Sequence, residues 1–245
     1  NPAFKLGAFT NPNKLVRQEA IDLTKQAIDA LREIDSNLLT IWLGQDGFDY
    51  GFQVDYKKIW DDEINAIREI AEYNKDCFIS IEYKPNEPRA YSLLSNLGTT
   101  LLAIKEINLN NLGVTIDFAH ILYSNEQPAL VAALIDKHSK ILGLHLNDGY
   151  GKRDDGLMVG SVHQLATIEL LYYISQSKYN GPIYFDTFPD TTNMDPVKEC
   201  ELNISTVKQQ LKIVDKLIKN NELSSAIENQ DSIASHKIFN SILYS

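Results

Sequence analysis

Four successive apolar runs of this chain carry acidic or imidazole side chains at their ends. Glu82 and Lys84 close the apolar run in "ISIEYKPNEPR", Asp117 and His120 close "TIDFAH", His145 lies in "LHLND", and Asp186 follows "PIYF" in "YFDTFP". A charge next to residues such as Ile79 and Ile81 needs water, a partner of opposite charge or a bound cation, because an unpaired buried charge is costly. Glu82, Asp117, His145 and Asp186 together offer three carboxylates and an imidazole, a donor set suited to Mg²⁺, Mn²⁺, Co²⁺ or Zn²⁺. Each carboxylate alone has a plainer reading as a helix cap or an ion-pair partner. Four in succession favour a shared cation. Asp154 and Asp155 in "GKRDDGLMVG" read equally well as an acidic turn or as part of a second cation site.

The elements that would position these groups follow from periodicity. Apolar residues recur at helical spacing from Val16 to Leu31, through Ile64, Ile67 and Ile70, Leu94, Leu97 and Leu101, Leu130 and Leu134, and Leu165, Ile168 and Leu171. Between them lie the short runs "LLTIWLG", "CFISIEY", "GVTIDF", "ILGLHLN" and "PIYFDTF". Strict alternation of such runs with helices predicts parallel βα units, whose active face is the rim at the strands' C-terminal ends. The polar residues above all sit on that rim. Five strands are legible. "FKLGAFT" is a poor sixth, because Gly7 interrupts it. From Ile204 to Ser245 the pattern predicts a helix, a turn and a further helix.

Composition narrows the partners. A chain of 245 residues with 44% hydrophobic residues buries a substantial core, and a net charge of −10 disfavours nucleic acid and anionic membranes. No run of about 18 apolar residues marks a membrane span. The opening "NPAFKLGAFTNPNK" lacks a charged start followed by an apolar stretch, and Cys77 and Cys200 make neither a disulfide framework nor a CxxC site. A cytoplasmic protein acting on a small molecule is the expectation. His138, His163 and His236 fall in or beside helices and read as surface residues.

The runs "GAFTNPNKLVRQEAI", "IEYKPNEPRAY", "IDFAH", "LHLNDGYGKRDDGLMVGS" and "YFDTFP" together resemble the xylose isomerase-like TIM barrels, in particular sugar isomerases of the xylose and L-rhamnose type. The resemblance reaches roughly Leu217. It implies an α/β fold of the (β/α)₈ class, with this chain covering the last five βα units plus C-terminal helices. Residues 1–203 would be the barrel portion and 204–245 a helical extension packed on it. It also implies an aldose–ketose isomerase using one or two divalent cations, Mn²⁺ foremost, and a homo-oligomer. Glu82, Asp117, His145 and Asp186 fall where the family holds its first ion. His120 and Asp154 would hold a second ion bridged by Asp117. Lys84 would touch the carbonyl-end oxygens of the sugar, Trp42 would form an aromatic wall, and Lys84, His120 and Asp154 would be the catalytic residues.

Two departures accompany the resemblance. The family's further aspartate, two positions after Asp154, is here Gly156, with Asp155 as the available substitute. "NPAFKLGAFTNP" resembles a segment that follows the third barrel strand, so the expected structure is an open five-stranded portion of a barrel, which by itself would bind metal and isomerise poorly or not at all. A hydride shift behind a water-excluding wall and an enediol route with a positioned base both fit the residues. A keto-sugar epimerase and a non-catalytic sugar-binding protein are the competing readings. A metal-dependent apurinic endonuclease fits less well, given the acidic balance and the absence of a histidine beside Asp154.

Overall fold

The computed structural model describes residues 2–244. Seven strands run in chain order as β1 (Leu38–Trp42), β2 (Gly47–Phe48), β3 (Phe78–Glu82), β4 (Tyr91–Ser92), β5 (Leu112–Asp117), β6 (Ile141–Leu146) and β7 (Ile183–Phe185). Five of them form one parallel sheet in the order β1-β3-β5-β6-β7, while β2 and β4 pair antiparallel beside its rim. This is the α/β arrangement of a TIM barrel opened along one side. The "FKLGAFT" stretch adds no strand: Pro2–Leu6 is a short 3₁₀ turn, and Gly7 sits at φ +112°, where a Cβ would meet the Thr10 hydroxyl at 2.4 Å.

Helices α1 (Lys14–Glu33), α2 (Tyr56–Tyr73), α3 (Leu97–Ile107), α5 (Pro128–His138) and α6 (Gln164–Gln176) connect the strands. A single turn and a half, α4 (Phe118–Tyr123), leaves β5 directly. Their starts are set by side chains that accept otherwise unpaired backbone N–H groups: Asn13 for α1, Asp55 for α2, Asn96 for α3 and Gln127 for α5. The Asn96 cap starts α3 at Leu97 and leaves Leu94 in the preceding loop.

The strands are not uniformly apolar. Ile79, Ile81, Val114, Ile116, Leu144 and Leu146 point toward the helices and are fully buried among Ile67, Ile70, Phe118 and Leu170. The alternate residues carry small polar groups on the opposite face. There Ser80 Oγ lies 2.6 Å and Thr40 Oγ1 3.4 Å from Thr115 Oγ1. Gly143 makes room for this cluster, since a Cβ on it would come within 2.5 Å of Thr115 Oγ1. Two residues further up, this same face carries the ionisable groups.

The C-terminal region differs from expectation in having three helices, α7 (Pro196–Ile218), α8 (Asn221–Glu228) and α9 (Ser232–Leu243). Helix α7 begins eight residues before Ile204, so position 204 lies within a continuous helix. Its first half buries polar residues: the Glu199 and Asn203 side chains hydrogen-bond each other, and Asn203 Oδ1 accepts from Val159 N. That burial hides the apolar period a sequence reading depends on. Among the described residues, no helix is long and apolar enough to cross a membrane.

Candidate metal centre

Glu82 is the last residue of β3 and Asp117 the last of β5; His145 is the penultimate residue of β6, and Asp186 follows β7. Register brings them level. Between β5 and β6 the pairing slips by one residue at Val114 and Thr115, and above the slip Asp117 stands opposite His145. Because side chains alternate between faces, this one-residue irregularity is what puts the carboxylate and the imidazole on the same side of the sheet.

One ligand atom from each of Glu82, Asp117, His145 and Asp186 lies within 4.8 Å of the others. Nδ1 of His145 is 3.4 Å from Glu82 Oε1, 3.8 Å from Asp186 Oδ2 and 3.9 Å from Asp117 Oδ2. The atom is buried, yet none of these approaches has hydrogen-bond geometry, so a buried ring nitrogen faces three carboxylates without a partner. An orphaned nitrogen amid carboxylate oxygens is what a divalent cation satisfies, and the donor set fits one.

The electrostatics agree. Burial, reinforced by the Glu82 and Asp186 charges and opposed by His120, pushes Asp117 up to about 6. Asp186 is raised by burial and then by Glu82. Burial alone would lower His145, but the three carboxylates outweigh it and raise its pKa. Each shift reflects negative charge crowded into a dry place, which His120 and His145 offset only in part.

The second set of residues is arranged differently. His120 lies in α4, whose first turn is capped by Asp117 Oδ1 accepting from His120 N at 2.9 Å. Its Nδ1 is 3.5 Å from Glu82 Oε1, and its Nε2 is 3.1 Å from Asp154 Oδ2. Burial opposes its protonation, but Asp117, Asp154 and Glu82 lift His120 to about 9. Lys84 is buried too. Its ion-pair partners are Asp154 Oδ2 at 3.1 Å and Glu87 Oε2 at 3.2 Å rather than Glu82, and its ammonium stands 5.3 Å from the centroid of the half-exposed Trp42 ring. Asp155 turns into its own loop, where Oδ2 accepts from Tyr150 N and Oδ1 from Arg153 Nε, both at 2.8 Å.

Two supporting residues escaped the sequence reading. Asn147 donates to both Asp117 oxygens and to the Asp186 carbonyl, while its own Oδ1 accepts from Ala119 N. Asp148 accepts from the backbone of Gly149, Val162 and His163 and lies 2.9 Å from His163 Nδ1, closing the loop that carries Asp154. His163 therefore braces a loop, although it remains partly exposed. The only signal in the sequence was the "LHLNDG" turn itself.

A family model described as a xylose isomerase-like TIM barrel matches residues 2–210. The xylose isomerase of Thermus thermophilus is 29% identical over 192 residues, covering 76% of this chain and 50% of that protein. The xylose isomerase of Thermus caldophilus is 27% identical over the same shares. The chain thus spans about half the length of the curated relatives it matches. Among solved structures, a D-tagatose 3-epimerase-like protein superposes with a TM-score of 0.70 at 24% identity, covering 86% of this chain and 75% of the other. An L-ribulose 3-epimerase does so with 0.71 at 15% identity, covering 89% and 76%. These two likenesses concern the fold. Together with the five parallel strands and the rim they carry, the match across residues 2–210 places this chain in the xylose isomerase-like TIM barrel family.

Proposed function

We propose that this protein is a divalent-cation-dependent sugar isomerase that interconverts an aldose and a ketose. The observation that carries the reading is the convergence of Glu82, Asp117, His145 and Asp186 from four neighbouring strands onto one point, beside a buried ammonium. Mn²⁺ is the cation proposed, with Mg²⁺, Co²⁺ and Zn²⁺ as chemically similar alternatives. When bound, such an ion polarises sugar hydroxyl and carbonyl oxygens. The chain supplies the rest. Lys84, held by Asp154 and Glu87, presents a donor to the carbonyl-end oxygen, where negative charge develops as hydrogen moves between C1 and C2. His120, oriented by Asp154, holds a proton within reach of the same mouth. Trp42 offers an apolar face that keeps water from the reacting carbons. A cytoplasmic homo-oligomer acting on a free sugar completes the proposal.

A second reading, a keto-sugar 3-epimerase, draws on one feature: Glu82 and Asp186 flank the group from β3 and β7, with β5 and β6 between them. Two carboxylates so separated suit an opposed acid and base. Incubating the chain and Mn²⁺ with a panel of aldoses and ketoses, with products followed by NMR, tells the two apart. Aldose–ketose conversion supports the isomerase, and a ketose inverted at C3 with no aldose formed supports the epimerase. Absence of both conversions in a chain that holds Mn²⁺ favours a sugar-binding relative.

A further inference from the structure

We infer that this chain holds a single divalent cation, and that the ammonium of Lys84, seated on Asp154, occupies the role a second ion would play at the mouth. The inference rests on the cation centre proposed above. A second ion would have to draw its ligands from His120, Asp154 and the two residues after it, with Asp117 shared. His120 Nδ1 and Asp154 Oδ1 are buried without a hydrogen bond, but Nδ1 faces Glu82 in the first group, while Nε2 and Oδ2 of the same two residues are taken by each other and by Lys84; the remaining ligands are committed or missing.

Asp154 Oδ2 already lies 3.1 Å from both His120 Nε2 and Lys84 Nζ. A small divalent ion about 2.1 Å from that oxygen would stand within about 5 Å of the lysine ammonium, like charge against like. Both Asp117 oxygens accept from Asn147 Nδ2, and Oδ1 accepts from His120 N as well, so little lone-pair capacity is left for a bridge. Asp155 has spent both oxygens on Tyr150 N and Arg153 Nε.

Gly156 cannot be rescued by a simple change. Its φ is +56°, and a Cβ there would fall 2.3 Å from Cδ2 of Phe188, whose own N–H is bonded to the Gly156 carbonyl at 2.9 Å. The backbone turn and the ring together exclude a side chain. Among the described residues, the one group of three or more potential ligands gathered closely enough for an ion is Glu82, Asp117, His145 and Asp186. Substrate oxygens at the carbonyl end would then meet one metal ion and one ammonium, which makes Lys84 the second electrophile of the site.

The test is a count. Equilibrium dialysis of the full chain against excess MnCl₂, with manganese measured by plasma mass spectrometry, should give one ion per chain. The electron paramagnetic resonance spectrum should show isolated Mn²⁺ without dipolar broadening. Asp154→Asn should still bind one ion, with affinity unchanged within about threefold. Two ions per wild-type chain would overturn the inference while leaving the first centre intact, as would a lost ion in Asp154→Asn. No ion in wild type would overturn the centre and the inference with it. Should Asp154→Asn fail to fold, the wild-type count and spectrum decide alone.

Discussion

The side-chain amide of Asn147 donates to both carboxylate oxygens of Asp117, at 3.2 and 3.1 Å, and so fixes the most deeply buried acid of the centre. Its third donated bond, to the Asp186 carbonyl, ties β7 to the same point, and its oxygen receives Ala119 N at the start of α4. Asn147→Ala leaves those groups unpaired in a dry place, with an expected loss of about 1–3 kcal/mol. For a chain of this size each kcal/mol lowers the melting temperature by about 2–4 °C. Orientation of a ligand by its neighbours is typically worth about 10–100-fold in metal affinity. Calorimetric titration of Mn²⁺ into the variant checks this, and wild-type affinity would refute it.

The double variant Glu82→Gln, Asp186→Asn should lose stoichiometric Mn²⁺ binding. Wild type at a free Mn²⁺ concentration about one hundred times its dissociation constant should gain about 2.7 kcal/mol, because the ion binds only the native state. Melting curves with and without Mn²⁺ read this directly. A variant that keeps the same metal-dependent gain would remove both residues from the centre.

Cation binding should weaken in acid. Asp117 takes up a proton near pH 6 when no ion compensates its burial and its carboxylate neighbours, and an ion must displace that proton. Apparent affinity should level off only once both Asp117 and His145, whose pKa the same carboxylates raise, have lost their protons. Well below pH 6 it should fall by roughly tenfold per pH unit for each proton displaced. Titrations at three pH values, with proton release followed in two buffers, would show it; affinity independent of pH down to 5 would contradict the assignment.

Lys84→Met should retain its manganese and lose turnover, since the ammonium touches Asp154 and Glu87 but none of the four grouped ligands. Metal analysis beside the sugar assay distinguishes this from a structural role. A variant that unfolds or sheds its ion would show that the lysine supports the centre rather than the chemistry.

A separate group should make stability fall as pH rises. Glu63 is fully buried in α2 with neither oxygen hydrogen-bonded, and burial, then the Asp46 charge, raises its pKa well above 4.5. The folded state thus keeps a proton that the unfolded chain gives up. The stability this represents is complete below about pH 4.5 and is lost as pH rises toward the folded-state pKa, at no more than about 1.4 kcal/mol per pH unit. Glu63→Gln removes that dependence while keeping the shape. Its melting temperature relative to wild type should climb between pH 5 and 9, and a constant difference would exclude the mechanism.

What the sequence reveals and what it hides divide along a physical line. Strands β1, β3, β5, β6 and β7 announce themselves through β-branched and apolar runs, and Glu82, Asp117, His145 and Asp186 stand out because charge at the end of such a run needs an explanation. The two-residue strands β2 and β4 are too short for any period. The first half of α7 is obscured by buried Glu199 and Asn203, whose partners lie in each other and in Val159. Lys84 meets Asp154 across 70 positions, and Asn147 acts through an amide that has no pattern. Pairings made by tertiary approach leave no trace in local spacing.

The open sheet has a geometric consequence of its own. Among the described residues, its outer strands, β1 and β7, each have one strand neighbour, which leaves a row of backbone donors and acceptors without a strand partner, and all five strands run in one direction. Two copies related by a two-fold axis along the strands would set β7 of each beside β1 of the other in parallel, a closed ring with both mouths on one end. A two-fold axis across the strands would instead pair β1 with β1 in antiparallel fashion and point the mouths apart. The choice of symmetry axis, more than the stickiness of the edges, would decide whether two such sites share a vestibule or face opposite sides of the assembly.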